Sequence, residues 1–269
     1  MSASAPRSRV SAFLGGAGIG TLGGLIGLGG AEFRLPLLLG YFRFAPLEAI
    51  ILNKAMSLVV VTFALPFRMG AVPWSEIARH WPAVANLLAG SLIGAWVGAS
   101  WATRLQSRTL YRIIGALLLL IALVLLFGHR DLGAGAPALA GPALVAAGVL
   151  AGFGIGVVAS LMGVAGGELL IPTLVLLFGA DLKLAGSLSL AISLPTMLVG
   201  FARYTRDRSF SVLKAHSQFV GAMAVGSVIG ALVGGRLLLG LVPGEILLPV
   251  LAAILVISGI KVWRHHTEV

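Results

Sequence analysis

The sequence has no cysteine and only nine acidic residues, and charged residues of both signs make up 10% of its 269 positions. Without thiols there is no disulfide, no thiolate metal site and no cysteine nucleophile. Soluble domains carry about 25% charged residues. With 58% hydrophobic residues and so few charges, this chain cannot cover itself as a water-soluble fold. Its mean hydropathy of +1.04 agrees. The composition describes an integral membrane protein, and the lipid bilayer becomes the ruler: roughly 20 apolar residues per helical crossing.

Other absences narrow the function. There is no Ser/His/Asp set, no metal-ligand spacing, no cofactor motif and no phosphate-binding loop, which argues against an enzyme and an ATP-driven pump. No cofactor and no metal is expected. The formal charge is +10, yet the aromatic–basic interleaving that holds nucleic acid strands is missing. The basic residues instead fill short gaps between apolar blocks: Arg7 and Arg9, then Arg104, Arg108 and Arg112, then Arg203, Arg206, Arg208 and Lys214, then Lys261 and Arg264. This is a positive-inside distribution. The apolar run from Val10 resembles a signal peptide, but the many blocks after it make it a retained first segment.

An internal repeat organises the chain. GLGGAEFRLP, from Gly27 to Pro36, reappears as GVAGGELLIP, from Gly163 to Pro172. The same register pairs His80 with His216, and the run Gly90, Ser91, Ile93, Gly94, Ala95, Gly98 with Gly226, Ser227, Ile229, Gly230, Ala231, Gly234. The expected fold is an all-α integral membrane protein built as one membrane domain from two tandem homologous repeats, 1–135 and 136–269, joined near 129–145. In each repeat a Gly-rich run (12–28, then about 148–164) leads to a short apolar block (33–43, then 169–179). Three long blocks follow: 46–66, 80–102 and 109–128, then 182–202, 214–238 and 245–263. Eleven residues span about 16 Å, half the hydrocarbon core, so each short block reads as a half-helix in a broken or re-entrant pair. If each pair returns to its starting side, a repeat crosses three times and the second repeat is inverted. That topology puts both termini and the gaps 103–112 and 203–214 in the cytoplasm; the alternative is a parallel, four-crossing arrangement, which leaves Arg34, Arg43 and Lys183 outside.

Broken backbone in hydrocarbon survives only where it lines a buried or watery cavity. The glycines of both motifs permit the break, and the prolines are expected in the first turn of the helix that follows. A half-helix starting near Gly30 or Gly166 turns free amides toward the midplane, where they attract anions. Gly29, Gly30 and Ala31 in the first break, and Gly166 and Gly167 in the second, are therefore candidate substrate-binding backbone. Glu32 and Glu168 occupy equivalent positions and are candidates to hold substrate and to carry a coupling proton; the alternative is that each caps its helix. Asn53 and Lys54 lie deep in the third block, with Ser57 one turn on, and Ser187 and Ser189 occupy the corresponding stretch of the second half, so all five are candidate substrate-binding side chains. Lys54 either snorkels or pairs with an anion. Arg34, which has Leu170 in the equivalent place, either pairs with Glu32 or contacts an anion. His80 and His216, at block starts, read as interfacial polar contacts. The two glycine stripes read as helix packing.

The doubled glycine break leading to proline, with Asn53-Lys54 about 20 residues after the first, resembles the TauE/SafE family of sulfite and organosulfonate exporters. The resemblance covers nearly the whole chain. It implies a multi-pass carrier in a bacterial inner membrane for small sulfur-containing anions such as sulfite, sulfonates or sulfoacetate. Members usually have another glycine where this chain has Ala31 and Glu32, so here a carboxyl stands in both breaks. The combined expectation is a proton-coupled secondary transporter whose partners are a small anionic substrate, protons and the lipid bilayer, with oligomers allowed and nucleic acid excluded. An anion channel and a membrane subunit of a partner-dependent system are the alternatives.

Overall fold

The computed structural model describes residues 8–26, 30–69, 74–127, 139–205, 209–234 and 244–264. Gly29, Arg7, Arg206 and Arg208 lie outside the described residues. Every regular element among the described residues is a helix. The first part of the chain forms α1 (Arg9–Ile26), α2 (Ala31–Gly40), α3 (Pro46–Met69), α4 (Trp74–Arg79), α5 (Trp81–Arg104) and α6 (Ser107–Phe127). The second part forms α7 (Gly141–Met162), α8 (Gly167–Phe178), α9 (Leu182–Thr205), α10 (Ser209–Ala215), α11 (Ser217–Leu232) and α12 (Gly244–Arg264). Within α3, α5, α6, α7 and α9 lie five stretches long and apolar enough to cross a membrane. The chain is a multi-pass membrane protein.

Both short blocks are short helices that begin at a glycine. Gly30 and Gly166 precede α2 and α8 with φ of 70° and 82°, the left-handed region where a Cβ is penalised. With 10 and 12 residues, these helices extend only about 15 and 18 Å. Pro36 and Pro172 stand at the sixth position of their helices rather than in the first turn, which corrects the sequence expectation. The physical effect differs too. A proline there withholds the N–H that would bond the carbonyl four residues back, and those carbonyls belong to Glu32 and Glu168.

Two further differences concern boundaries. The run expected from 148 starts at Gly141, where Pro142 supplies a favourable first turn, so α7 has 22 residues and is long enough to cross alone. The block expected at 214–238 is divided by a turn at His216 into α10 and α11. The short helix α4, and α10 before residue 214, have no counterpart in the sequence reading.

The glycine stripes hold the helices together. A Cβ at Gly90, Gly94 or Gly98 of α5 would overlap backbone of Val149, Phe153 or Val157 in α7. At Gly226, Gly230 or Gly234 it would overlap carbonyl oxygens of Phe13, Ala17 or Thr21, so α11 presses as closely on α1. Arg9 of α1 also donates to Gln218 of α11. Each seam joins a helix of one part to a helix of the other, and α6 packs against α12 in the same way. Large side chains such as Ile93, Leu150, Val225 and Ile257 stay on the outer surface, as a lipid-facing shell requires.

Candidate functional site

The breaks and α3 form one buried polar centre. Among the described residues, Glu32, Arg34, Lys54 and Glu168 are the buried side chains of formal charge, each 2% exposed or less. They come from the first turn of α2, from α3, and from the first turn of α8.

Glu32 and Glu168 are close enough to act on each other electrostatically. Two carboxylates offer only acceptors, so a bond joins them only when one holds a proton. No described group donates to any of their four side-chain oxygens. The Gly166 carbonyl takes the amides of Leu169 and Leu170, and that of Gly167 has no acceptor among the described residues.

Arg34 is the hub. Its Nε donates to Asn53 Oδ1 at 2.9 Å, Nη2 to Ser57 Oγ at 3.0 Å and Nη1 to Ser227 Oγ of α11 at 3.2 Å. The fork geometry of a guanidinium suits three acceptors on three sides. Asn53 turns its amide the other way, donating to the Ala31 carbonyl at 3.0 Å and the Met162 carbonyl at 3.1 Å. One side chain thus ties the start of α2 to the end of α7. Ser57 adds a bond to the Gly163 carbonyl at 3.3 Å. The open question over Arg34 is answered in part: Glu32 is near enough to act on it electrostatically, but no direct ion pair joins them.

Lys54, next to Asn53 on α3, turns to α7 and α9. Its Nζ donates to Ser160 Oγ at 3.1 Å and lies 5.9 Å from the centre of the Tyr204 ring, with no ion pair. Being wholly buried, it does not snorkel. Tyr204 donates to the Ser160 carbonyl at 2.9 Å. Gly200 makes the room, because a Cβ there would stand 2.5 Å from Lys54 Nζ and 2.8 Å from Ser160 Oγ. Ammonium and guanidinium thus have separate hydrogen-bond partners.

Other expected residues sit differently. Gly30, Ala31, Gly166 and Gly167 are at the two helix starts. Ser187 and Ser189 are buried in α9, and Ser189 donates to the Gly186 carbonyl of its own helix. Ser193 instead reaches the second break, donating to the Ala165 carbonyl at 2.7 Å. Ser160, Tyr204 and Ser227 were not anticipated. Ser227 carried a signal, as the one hydroxyl within the second glycine stripe. Ser160 stands one turn before the second break, and Tyr204 gave no signal at all. His80 Nδ1 meets the Glu76 carbonyl at 2.9 Å and His216 packs edge-on against Phe44, so both are local contacts at helix starts.

Chemically, the centre offers two cations without an ion-pair partner among the described residues, an amide at a broken helix and two buried carboxyls. That set suits an anion arriving with a proton. The family profile described as Sulfite exporter TauE/SafE matches residues 12–262. No curated protein and no solved structure matches the chain. Spanning all but the two ends of the sequence, the match means that this chain belongs to the TauE/SafE sulfite exporter family of membrane transporters.

Proposed function

We propose that the chain is a secondary transporter moving small sulfur-containing anions, of the sulfite, organosulfonate or sulfoacetate class, across the inner membrane by proton-coupled alternating access. The observation that carries this reading is the meeting of Glu32 and Glu168 at two glycine-broken helices, beside buried Arg34 and Lys54. Intramembrane ionisable groups are costly and are kept for function. In this reading the anion lies among the break backbone at Gly29, Gly30, Ala31, Gly166 and Gly167 and near Arg34 and Lys54. Asn53 and Ser57 orient Arg34, Ser187 and Ser189 line the α9 side, and the carboxyl pair carries the proton.

The architecture we propose is a pair of inverted repeats that rock around this centre, with both termini cytoplasmic. The glycine seams support it. The residues that α5 meets, Val149, Phe153 and Val157, stand in the same register to Phe13, Ala17 and Thr21 as Gly90, Gly94 and Gly98 do to Gly226, Gly230 and Gly234. A 22-residue α7 fits a pair that returns to its starting side if α7 is oblique or begins among the headgroups. Reporter fusions after residues 43 and 179 test this: opposite sides are expected, and the same side contradicts inversion.

Transport itself is tested in proteoliposomes with an imposed pH gradient and sulfite, methanesulfonate and sulfoacetate as anions. Flux of at least one of them that responds to the gradient is expected. If Glu32→Gln and Glu168→Gln both transport with unchanged pH dependence, the carboxyl pair is not the coupling group.

A further inference from the structure

We propose that the packed ends of α6 and α12 bind an anionic phospholipid whose headgroup bears two phosphates. The inference is independent of the transport reading, since it concerns the outer wall of the molecule and not its buried centre.

Two helices supply the site. On α6 the exposed residues Arg108, Arg112, Ala116, Leu120 and Leu123 recur at spacings of three or four, which makes one helical face. On α12 the exposed Ala253, Ile257, Lys261 and Arg264 do the same. Each face runs from large apolar side chains to a pair of cations at one helix end. The inner sides are buried, at Leu118 and Ile121 of α6 and at Leu251 and Leu255 of α12.

The two helices run in opposite directions. A Cβ on Gly115 would meet Trp263 and the Gly259 carbonyl, and one on Gly259 would meet Leu119 and the Gly115 carbonyl. One turn forward on α6 is therefore one turn back on α12. That register brings the start of α6 to the end of α12, and with it Arg108 and Arg112 to Lys261 and Arg264. The one acid in the sequence of either helix, Glu245, belongs to the opposite end of α12. Glu268, four positions past Arg264 in sequence, offsets one charge at most.

Tryptophans mark this end as the membrane interface. Trp263 adjoins Arg264, Trp101 stands in the last turn of α5, and both are about half exposed. A small free anion would find the cations and gain nothing from the apolar faces beside them. A phospholipid meets both, with phosphates at the cations and acyl chains along Leu120, Leu123 and Ile257. Two cations on each of two helices match two phosphates, one for each pair. Cardiolipin carries that headgroup.

The experiment uses the full chain in neutral detergent, read by native mass spectrometry and by unfolding temperature. The probes are cardiolipin, phosphatidylglycerol at equal phosphate, phosphatidylcholine and inorganic phosphate. Cardiolipin should be retained and should raise the unfolding temperature more than the other three. Each basic residue beside an anionic lipid is worth about fivefold in affinity, so Arg112→Gln with Lys261→Gln should weaken cardiolipin binding roughly 25-fold. Arg79→Gln with Lys214→Gln removes the same charge from exposed positions on α4 and α10, and should bind as the native chain does. Unchanged binding by the first pair, or an equal loss in the second, overturns the site. Equal retention of phosphatidylglycerol overturns the two-phosphate headgroup. Equal retention of phosphatidylcholine, or equal stabilisation by inorganic phosphate, overturns an anionic lipid as the occupant. The native chain's choice among the four probes decides the matter even where a variant does not fold.

Discussion

Arg34 and Asn53 are both wholly buried, and the guanidinium Nε donates to the amide oxygen at 2.9 Å. Through this bond and the two carbonyls held by its nitrogen, Asn53 joins a buried cation to both helix breaks. Asn53→Ala leaves the Arg34 Nε donor and the Met162 carbonyl without this partner. Each orphaned group costs about 1–3 kcal/mol, so a loss of roughly 2 kcal/mol or more is expected. Thermal unfolding in detergent, scored against the native chain, measures it. An unchanged unfolding temperature would mean that the breaks are held by other contacts.

Arg34→Lys keeps the charge and discards the fork. A lysine ammonium cannot reach Asn53, Ser57 and Ser227 in one plane as the guanidinium does. At least about tenfold weaker anion binding is expected, equivalent to roughly 1.4 kcal/mol. Ligand-induced thermal stabilisation by sulfite and methanesulfonate reads it, because a ligand selective for the folded state raises its stability. Equal stabilisation of both proteins would show that charge alone suffices.

The room for Lys54 is set by one missing side chain. Gly200→Ala puts a methyl against Lys54 Nζ and Ser160 Oγ, whereas at Gly221 a Cβ meets nothing within 4 Å. Transport by Gly200→Ala should fall at least about tenfold, a change of roughly 1.4 kcal/mol, while Gly221→Ala stays within about 0.5 kcal/mol in stability. Anion flux and unfolding temperature, taken together on the two variants, separate a displaced lysine from a general loss of fold.

The seam between α5 and α7 is backbone on backbone. Gly94→Ala forces the Phe153 carbonyl aside, while at Gly18 of α1 an added Cβ has open space. Overpacking of this kind costs about 1–3 kcal/mol. The unfolding temperature of Gly94→Ala should drop and that of Gly18→Ala should hold; a matching result in both would remove packing as the reason for the stripe.

Much of this was legible in the sequence because the bilayer punishes exceptions. Glu32, Lys54 and Glu168 announce themselves simply by being ionisable inside apolar blocks, and Gly30 and Gly166 by the doubled motif around them. Direction was harder to read. Asn53 looked like a substrate ligand, but its three hydrogen bonds go to Arg34 and two carbonyls, since unpaired backbone at a break recruits whatever polar group is nearby. Arg34 was visible, yet its role depends on Ser227, which is 193 residues away. Tyr204 and Ser160 meet Lys54 from two different helices, a contact that no periodicity encodes. The prolines misled by two positions' worth of helix, because a glycine start fixes where α2 and α8 begin and the sequence pattern fixes only that they do.

The cross-packing of α1 with α11 and α5 with α7 also bears on how the molecule is made. When α1 leaves the ribosome, the surface it will rest on lies about 190 residues downstream, between Ile26 and Ser217. At translation rates of about 5–20 residues per second, α1 waits roughly 10–40 s in the lipid without its partner. Until α11 arrives, its glycine-lined face is covered by acyl chains in place of the helix it closely packs against. Assembly of this carrier is therefore a late, nearly concerted closure, and a truncation that removes α11 strands the first helix as surely as it removes the last.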